Sequence, residues 1–544
     1  MKISTLLGNL VVIGAAITTV FITPFYSFDS LNAPRLIPLT IFGVIGALFL
    51  FHFRNELNAN AYRKVLVASA GFITWMIFSL FASRINLAQG FYGLSRRHTG
   101  LLTYFMIISL MMVAVLASNR IFLRKLTSLL LWLGFVSSIY GAFQFMGVDP
   151  INWVNTNSPV ISIFGNPNFH SAFMGITATA SLAMTLEKGT KHRTRIFLFV
   201  TIFLAVLNIF YSKSWQGYFV LFAGALVVFN VNAEIRMKTR GLKIIPLVFT
   251  VLTLLIVTLD ILQKVPWNSF FYKESVSYRG DFWRAAAKMT MNNPVFGVGP
   301  DGFVDKYRQS RDLKAALRPE SNQITDSAHN LFLDLSSTGG VPLLLIYIFL
   351  VGLTLISATR VIHKDKDIDT AFVAIFASWV ACLTQSTISV NQIVLSMWTW
   401  ILMGAIIGYD LNSRHIPKFR TLRQTTIKLS ISAGLVLGLS LTLPLVTSDA
   451  NFRSAIESGD PYTIQKSAKE RPLSIDRMIY AARILQEGNY PELSIEIVRE
   501  AIAFNPQSFI AWAELSIQKN ASTQERNLAK YRLKTLDPWN PKLK

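Results

Sequence analysis

Residues 325–342, TDSAHNLFLDLSSTGGVP, lie where a long polar stretch of the chain gives way to a long apolar one. A window of about 20 apolar residues is long enough to cross the hydrocarbon core of a bilayer as a helix. Such windows recur along the chain and predict about 13 spans, within limits of roughly 12 to 14. The predicted spans are residues 5–26, 36–53, 64–83, 100–118, 125–147, 168–186, 194–211, 215–232, 243–263, 330–358, 369–386, 393–411 and 426–446.

The composition also indicates a membrane protein. Of the 544 residues, 52% are hydrophobic and 15% are charged, which is too apolar for a soluble domain of this length. Much of the formal net charge of +22 lies in alternate loops, for example at 188–195, 236–243 and 414–423. By the positive-inside rule these loops are cytoplasmic. The charge is therefore a sign of topology and argues against a nucleic-acid partner.

This topology predicts an all-α polytopic helix bundle at residues 1–446, with a cytoplasmic N-terminus in the cytoplasmic (inner) membrane. One outer loop, residues 264–329, is too long to be a bare connector and is predicted to be helical. The tail at residues 447–544 is polar and lies outside the cytoplasm. The predicted outer loops are 84–99, 148–167, 212–214, 264–329 and 387–392.

Regularly spaced prolines indicate a small helical-repeat domain in the tail. Pro472 and Pro506 are 34 positions apart, and Pro538 follows 32 positions later. This spacing is typical of tetratricopeptide repeats. Since about three repeats are needed for a stable stack, we expect the tail to rest on the membrane domain or on a protein partner.

The outer loop contains a helix-like segment with arginines near its start. Arg279 and Trp283 fall at helical spacing, and Arg279 and Arg284 are predicted to begin the helix. Cations at the N-terminus of a helix interact unfavourably with the helix dipole, so their presence there needs another explanation, such as binding of an anionic ligand. Gly297 and Gly299, in GVGPDG, predict a turn rather than a phosphate loop, because the strand and lysine of a phosphate loop are lacking.

His329 closes the outer loop. Asp326, His329 and Asn330 are at positions i, i+3 and i+4, so a helix there would show all three on one face. An imidazole oriented by a carboxylate is a usual means of taking a proton from a hydroxyl. The alternative is a solvated histidine at the membrane interface with no chemical role.

Other polar residues cluster at outer span ends. Four of them are Arg84, Arg96, Arg97 and His98, whose charge the topology does not explain. Two more, Asn166 and Asn168, flank Pro167 and predict an Asx-Pro turn. The alternative to a functional role is that this turn only caps the following helix. Lys213 lies in the tight outer turn at 212–214, and this lysine alone does not indicate a binding site.

Outer-face arginines together with one histidine suit a lipid-anchored diphosphate, because guanidinium groups bind phosphate oxygens with two parallel hydrogen bonds. The sequence has no metal motif, P-loop or GxSxG elbow. It therefore predicts neither a metal nor another cofactor.

Five motifs, in this order, resemble those of the O-antigen ligase and Wzy-type polymerase superfamily of bacterial envelope glycan transferases. They are FYGLSRRHTGLLTY at 91–104, GNPNFHSAF at 165–173, SKSWQGY at 212–218, YRGDFWRAAAKMTMNNPVFGVGPDGF at 278–303 and SAHNLFLDLSSTGGVPLLL at 327–345. The tetratricopeptide-like tail is similar to that of many members. The resemblance implies metal-independent transfer of a glycan from undecaprenyl diphosphate to an acceptor hydroxyl, on the outer face of the cytoplasmic membrane, in cell-envelope polysaccharide or glycoconjugate assembly.

Carried onto matching positions, the resemblance implies that His329 is the general base. It implies that Arg279 and Arg97 hold the donor phosphates. The chain departs from many members at SKS, where they have Ser-Arg-Gly, so Lys213 supplies charge without a guanidinium fork. The expected site thus comprises His329 and Arg279 as catalytic residues, Arg97, Arg84, Arg284 and Lys213 as phosphate-binding residues, and Asn330, Asp326, Asn166, Asn168, Trp283, Gly297 and Gly299 as supporting residues.

Several alternatives remain open from the sequence. Ligases, polymerases and protein oligosaccharyltransferases share these motifs, so the acceptor is a glycan, a lipid or a protein. A multi-span transporter or flippase of lipid-linked glycan is the second candidate function, although few charged residues lie within the predicted spans. A tail that recruits a protein partner is compatible with the first function.

Overall fold

The structure, a computed structural model, describes residues 3–57, 60–83, 85–151, 160–236, 274–318, 325–364, 368–415 and 419–543, together with residues 153, 248, 250 and 417. Every regular element in these ranges is helical, as the sequence predicts. The principal helices are Ile3–Val20, Asn32–His52, Arg63–Ala82, Leu87–Tyr92, Leu101–Ala117, Arg120–Phe145, Pro167–Thr185, His192–Tyr211, Trp215–Arg236, Glu274–Asn292, Phe303–Ser310, Leu331–Lys364, Thr370–Ile388, Ile393–Arg414, Gln424–Ser458, Pro461–Ala468, Ile475–Glu487, Pro491–Phe504, Phe509–Ile517 and Thr523–Leu536.

Ten helices in the described ranges are long and apolar enough to cross a membrane, which confirms a polytopic helical membrane protein. Two further predicted spans coincide with helices that miss those criteria. Leu101–Ala117 is shorter, and Pro167–Thr185 is rich in small and hydroxyl side chains. Both are almost wholly buried, so neighbouring helices replace lipid around them. The predicted span at 243–263 lies outside the described residues.

Small residues let the central helices approach closely. A Cβ added to Gly175 would stand 2.7 Å from the carbonyl oxygen of Gly217, and one added to Gly404 would stand 2.3 Å from that of Met111. Close backbone approach of this kind is the usual means of packing helices in membranes, where lipid gives no hydrophobic drive for their association. The central helices of the bundle are therefore closely packed.

The helix Leu331–Lys364 is broken at Gly340. This glycine has φ +77°, which lies outside the helical region, and the helix is kinked there. The N–H of Val341 leaves the helix and donates to the carbonyl oxygen of Pro294 at 2.8 Å. A Cβ at Gly340 would stand 2.1 Å from the carbonyl oxygen of Val295, so no other residue fits this position without movement.

The predicted turn at Gly297 and Gly299 fills this break. The N–H of Val298 donates to Ser337 O at 2.8 Å, and the N–H of Gly299 donates to Thr338 O at 2.9 Å. These two carbonyls lack helical partners because the donor of Val341 is redirected and Pro342 has none. The outer loop thus satisfies polar groups that would otherwise be buried without a partner.

The tail has its own hydrophobic core, drawn from residues 452–536. Its helices follow one another as pairs, while the long helix Gln424–Ser458 runs without interruption across the expected boundary at 446/447. The division into two domains and the tetratricopeptide-like character of the tail remain predictions.

Buried ion pairs hold the tail against the outer loop. The carboxylate of Asp537 receives hydrogen bonds from Arg308 at 2.8 Å and from Arg311 at 2.6 Å, and all three side chains are buried. Nearby, Asn86 donates from its side chain to the carbonyl oxygen of Phe504 at 2.7 Å. The tail is therefore fixed to two outer segments of the membrane domain.

Replacing Asp537 with alanine should loosen the tail, because it leaves two buried arginines without their shared carboxylate. Breaking a buried pair costs about 3 to 5 kcal/mol. We expect faster hydrogen exchange at residues 303–311 and 523–543. The exposed Glu487→Ala is the matched control in the same tail. Equal exchange in the two variants would show that the ion pairs do not dock the tail.

Gly340→Ala should destabilise the membrane domain, whereas Gly352→Ala on the same helix should not. The first change places a Cβ against Val295 at positive φ, which costs about 1 to 3 kcal/mol from backbone strain alone. A Cβ at Gly352 has no neighbour within 4 Å among the described residues. Thermal unfolding in detergent micelles measures both; an unchanged midpoint for Gly340→Ala would refute the packing described here.

Candidate active site

A cavity of about 780 Å³ opens between the loop after residue 83, the large outer loop and the tail. Five residues singled out from the sequence line it together: Arg97, Asn168, Arg279, Asp326 and His329. They come from three segments far apart in the chain. Arg97 and Arg279 therefore share one cavity with His329, and the roles expected for these residues remain predictions.

The expected helical face at 326–330 is wrong. Residues 325–330 form a loop, and His329 has φ +55° in the left-handed region. The helix begins at Leu331, with the side chain of Asn330 accepting the N–H of Phe332 at 3.0 Å as a cap. Asn330 therefore ends the loop and starts the span, which fixes where His329 stands.

The imidazole of His329 is enclosed beside Phe282, with ring centroids 5.3 Å apart. Its Nδ1 lies 3.3 Å from the carbonyl oxygen of Ser327, so the ring is oriented by backbone rather than by the carboxylate that the sequence suggested. A Nδ1–H donated to that carbonyl would leave Nε2 as the basic nitrogen.

Burial lowers the pKa of His329 to about 4. The charge of Asp326 and the hydrogen bond to Ser327 raise the pKa, while the charges of Arg279 and Arg97 lower it further. The balance favours the neutral ring at pH 7. A neutral imidazole can accept a proton, which a charged one cannot.

Arg97 is held in place by Asp326. Its Nε donates to Asp326 Oδ2 at 2.5 Å, and its Nη2 lies 3.4 Å from Oδ1, with both side chains about a quarter exposed. The loop that carries Arg97 is clamped by Asp301, whose carboxylate accepts the N–H of Leu94 at 2.9 Å and the hydroxyl of Thr99. The arginine is thus positioned before any ligand arrives.

Arg279 differs from Arg97 in having no carboxylate partner within the described part of the chain. It lines the cavity and is partly buried, and burial lowers its pKa. A guanidinium that is partly desolvated and lacks a counterion is a ready site for an anion. The helix bearing it starts at Glu274, so the prediction that Arg279 and Arg284 begin the helix is wrong.

The middle-span motif reaches the cavity through Asn168. The Asx-Pro turn is confirmed: Asn166 caps Pro167–Thr185 and accepts the N–H of Asn168 at 2.8 Å. The side-chain oxygen of Asn168 accepts the hydroxyl of Ser214 at 2.7 Å. Lys213, next to this serine, is exposed with φ +52° and is not among the residues lining the cavity.

Several expected site residues stand apart from the cavity. Arg284 pairs with Asp281 and with Asp312, the latter at 2.7 Å. The indole of Trp283 is exposed, and Gly297 and Gly299 lie under the helix break. Arg84 lies outside the described residues. The phosphate-binding role expected for Arg284 finds no geometric support.

The tail supplies a wall that sequence reasoning did not assign to the site. Six of its residues line the cavity: Ile475, Asp476, Asn505, Ser508, Phe509 and Ile510. No local pattern signals them, because they face the site only after the tail docks on the outer loop. Asp301, which positions the loop of Arg97, was also missed, because the sequence indicated only a turn at this place.

A second cavity of about 910 Å³ adjoins the first. It shares Ser95, Arg97, Asp326 and Asp476 with the first cavity. The two volumes therefore meet at the Arg97–Asp326 pair. In the ranges that the structure describes, no group of three His, Cys, Asp or Glu side chains is arranged to hold a metal ion.

Comparison with known proteins bears on this site. Residues 200–348 match the family model described as O-Antigen ligase. That segment contains Arg279 and His329 together with the helix break at Gly340. None of the curated proteins searched matches the chain. The family match supports the resemblance to the O-antigen ligase superfamily and a membrane role in glycan transfer for polysaccharide assembly.

Proposed function

We propose that this protein transfers a glycan from undecaprenyl diphosphate to an acceptor hydroxyl at the outer face of the cytoplasmic membrane. The observation that carries the proposal is that His329 lines the same cavity as Arg279, which lacks a carboxylate partner in the described ranges; burial lowers the pKa of His329 and so favours its neutral form. The family match over residues 200–348 supports the same reaction class.

The proposed step is a substitution at the anomeric carbon of the donor sugar. The acceptor oxygen forms a bond to that carbon as the bond from the carbon to the diphosphate oxygen breaks. The acceptor's proton passes to His329, and the lipid diphosphate leaves with the bonding electron pair. His329 later releases its proton to solvent or to the departing diphosphate.

Two arginines would stabilise the leaving group. Arg279 offers a complete guanidinium fork, while Arg97 keeps the hydrogens of Nη1 free of the Asp326 contacts described above. Fixed cations facing the charge that develops on the diphosphate lower the barrier without reorganisation. Asp326 would hold Arg97 ready and limit the positive potential at His329.

The paired cavities support a two-substrate reaction. One volume contains Arg279 and His329, and the other adjoins it at Arg97, so donor and acceptor can meet without sharing one pocket. The same step serves a lipid A core, a growing polymer or a protein hydroxyl as acceptor. The proposal needs no metal ion or other cofactor.

The site must face outward for this reaction. The positive-inside pattern of the loops supports a cytoplasmic N-terminus and an extracytoplasmic tail. The cytoplasmic membrane supplies the lipid-linked donor, and the tail offers a surface for a protein partner.

His329→Ala and Arg279→Gln should each abolish most transfer. Loss of a general base costs about 10² to 10⁴ in rate, and loss of a cation facing the leaving group costs about 10² or more. Lys314→Gln, an exposed cation of the same outer loop, is the control and should stay within about twofold of the parent.

The measurement is the initial rate of glycan transfer in proteoliposomes at matched protein levels. Full activity in both site variants would refute the site. Movement of lipid-linked glycan across the bilayer without any transfer would refute the reaction class and favour transport.

The pH profile should report the lowered pKa of His329. Because the free protein holds that pKa at about 4, kcat/KM should fall only as pH approaches 4. Bound diphosphate offsets the charges of Arg279 and Arg97, so the acidic limb of kcat should lie at higher pH. An inflection of kcat/KM near about 6.5, the ordinary histidine value, would contradict the enclosed imidazole. Recovery of activity after return to pH 7 controls for denaturation.

A further inference from the structure

We propose that the tail wall of the cavity, defined as Asp476, Asn505 and Phe509, binds sugar residues and selects which glycan is transferred. This inference rests on the proposed function, because it names the part of the substrate that the tail would contact. It assigns the tail a role inside the substrate cavity, in addition to any recruitment of partners.

The charge of this wall separates it from the arginine end of the cavity. Asp476 belongs to the tail, and Asp305 of the outer loop lies beside Asn505, whose side-chain nitrogen is 3.2 Å from both Asp305 oxygens. Carboxylates repel a diphosphate but accept hydrogen bonds from hydroxyl groups. The wall therefore suits a neutral, hydroxyl-rich ligand.

Asp476 is available to such a ligand. Its side chain is solvent-exposed although protein encloses the surrounding space, and it borders both large cavities. No described residue donates a hydrogen bond to its carboxylate; the charges that act on it are those of Arg96 and Asp326. An accessible carboxylate without a donor can accept two neighbouring hydroxyls of a sugar ring.

Phe509 provides a fixed apolar plate beside these acceptors. The guanidinium of Arg308 lies 3.9 Å from the ring centroid and is itself held by Asp537. The ring is therefore oriented before binding, which reduces the entropy lost when a ligand packs on it. Arg308 covers one face of this ring, and the part of Phe509 that lines the cavity offers apolar carbon to the C–H groups of a sugar ring, next to acceptors for its hydroxyls.

The amide groups at the seam between tail and membrane domain complete the set. Gln89 donates to Asp305 Oδ2 at 2.9 Å and accepts from Asn505 at 3.2 Å. The contacts join the early loop, the large loop and the tail in one network. A glycan whose diphosphate is held by Arg97 and Arg279 would therefore extend along groups that the tail orients.

The test compares Asp476→Asn and Phe509→Leu in the full-length protein in proteoliposomes. Tyr531→Ala, an exposed tail aromatic outside the cavity, is the matched control. We expect KM for a glycan substrate to rise about tenfold with kcat changed less than about threefold, as for lost ground-state binding. The nearly isosteric Asp476→Asn guards against misfolding, which hydrogen exchange of the tail would detect.

Two arms identify the bound sugar chain. KM for the donor is measured by varying the concentration of lipid-linked glycan, extracted from producing cells, at saturating acceptor. KM for the acceptor is measured by varying its concentration at saturating donor. Oligosaccharide released from the lipid by mild acid is also tested for direct binding. A raised KM for one substrate assigns the wall to that substrate; unchanged KM values and unchanged oligosaccharide binding would overturn the inference. Retained activity in His329→Ala would refute the role of His329 alone, and a parent protein without transfer activity would refute the proposed function alone, since direct oligosaccharide binding is independent of transfer.

Discussion

The structure depends on the hydrogen bonds that the backbone groups freed by the helix break at Gly340 make with the outer loop. A helix cannot open its hydrogen-bond ladder at membrane depth unless other groups take up the freed carbonyls. The turn at 297–299 does so through backbone N–H groups, and these hydrogen bonds fix the position of the outer loop along the broken helix. That docking carries Asp301 to the early loop and fixes the start of the helix at Leu331, directly after His329. Three segments are thereby brought to one cavity.

The electrostatics of the cavity follow from the same arrangement. Burial makes the uncharged imidazole of His329 the favoured state; the charges of Arg279 and Arg97 lower its pKa further, while the charge of Asp326 opposes them. A ligand with negative charge offsets the two arginines and raises the pKa of His329. The proton affinity of the histidine is consequently coupled to occupancy of the arginines, which is useful to a base that must act only when donor is present.

Much of the architecture follows from the sequence because hydrophobic length and loop charge are strong signals. The clustering of His329, Arg279 and Arg97 was predictable once topology set their loops on one side. Residue type alone did not show that Arg279 lines the cavity and Arg284 does not. Five positions along a helix, however, place two side chains about 140° apart. Arg284 accordingly meets Asp281 and Asp312 instead. The left-handed backbone of His329 and the contribution of Phe509 arise from tertiary docking, which carries no local sequence signal.

The helix Gln424–Ser458 has a further consequence because it passes from the bundle into the tail without a flexible linker. Each residue of an α-helix adds about 1.5 Å and 100° of rotation. The length of this helix therefore sets both the height and the facing of the tail above the bilayer. A single insertion within it would turn the tail wall by about 100° relative to the arginines, so the length of this helix matters to the cavity as well as the residues that line it.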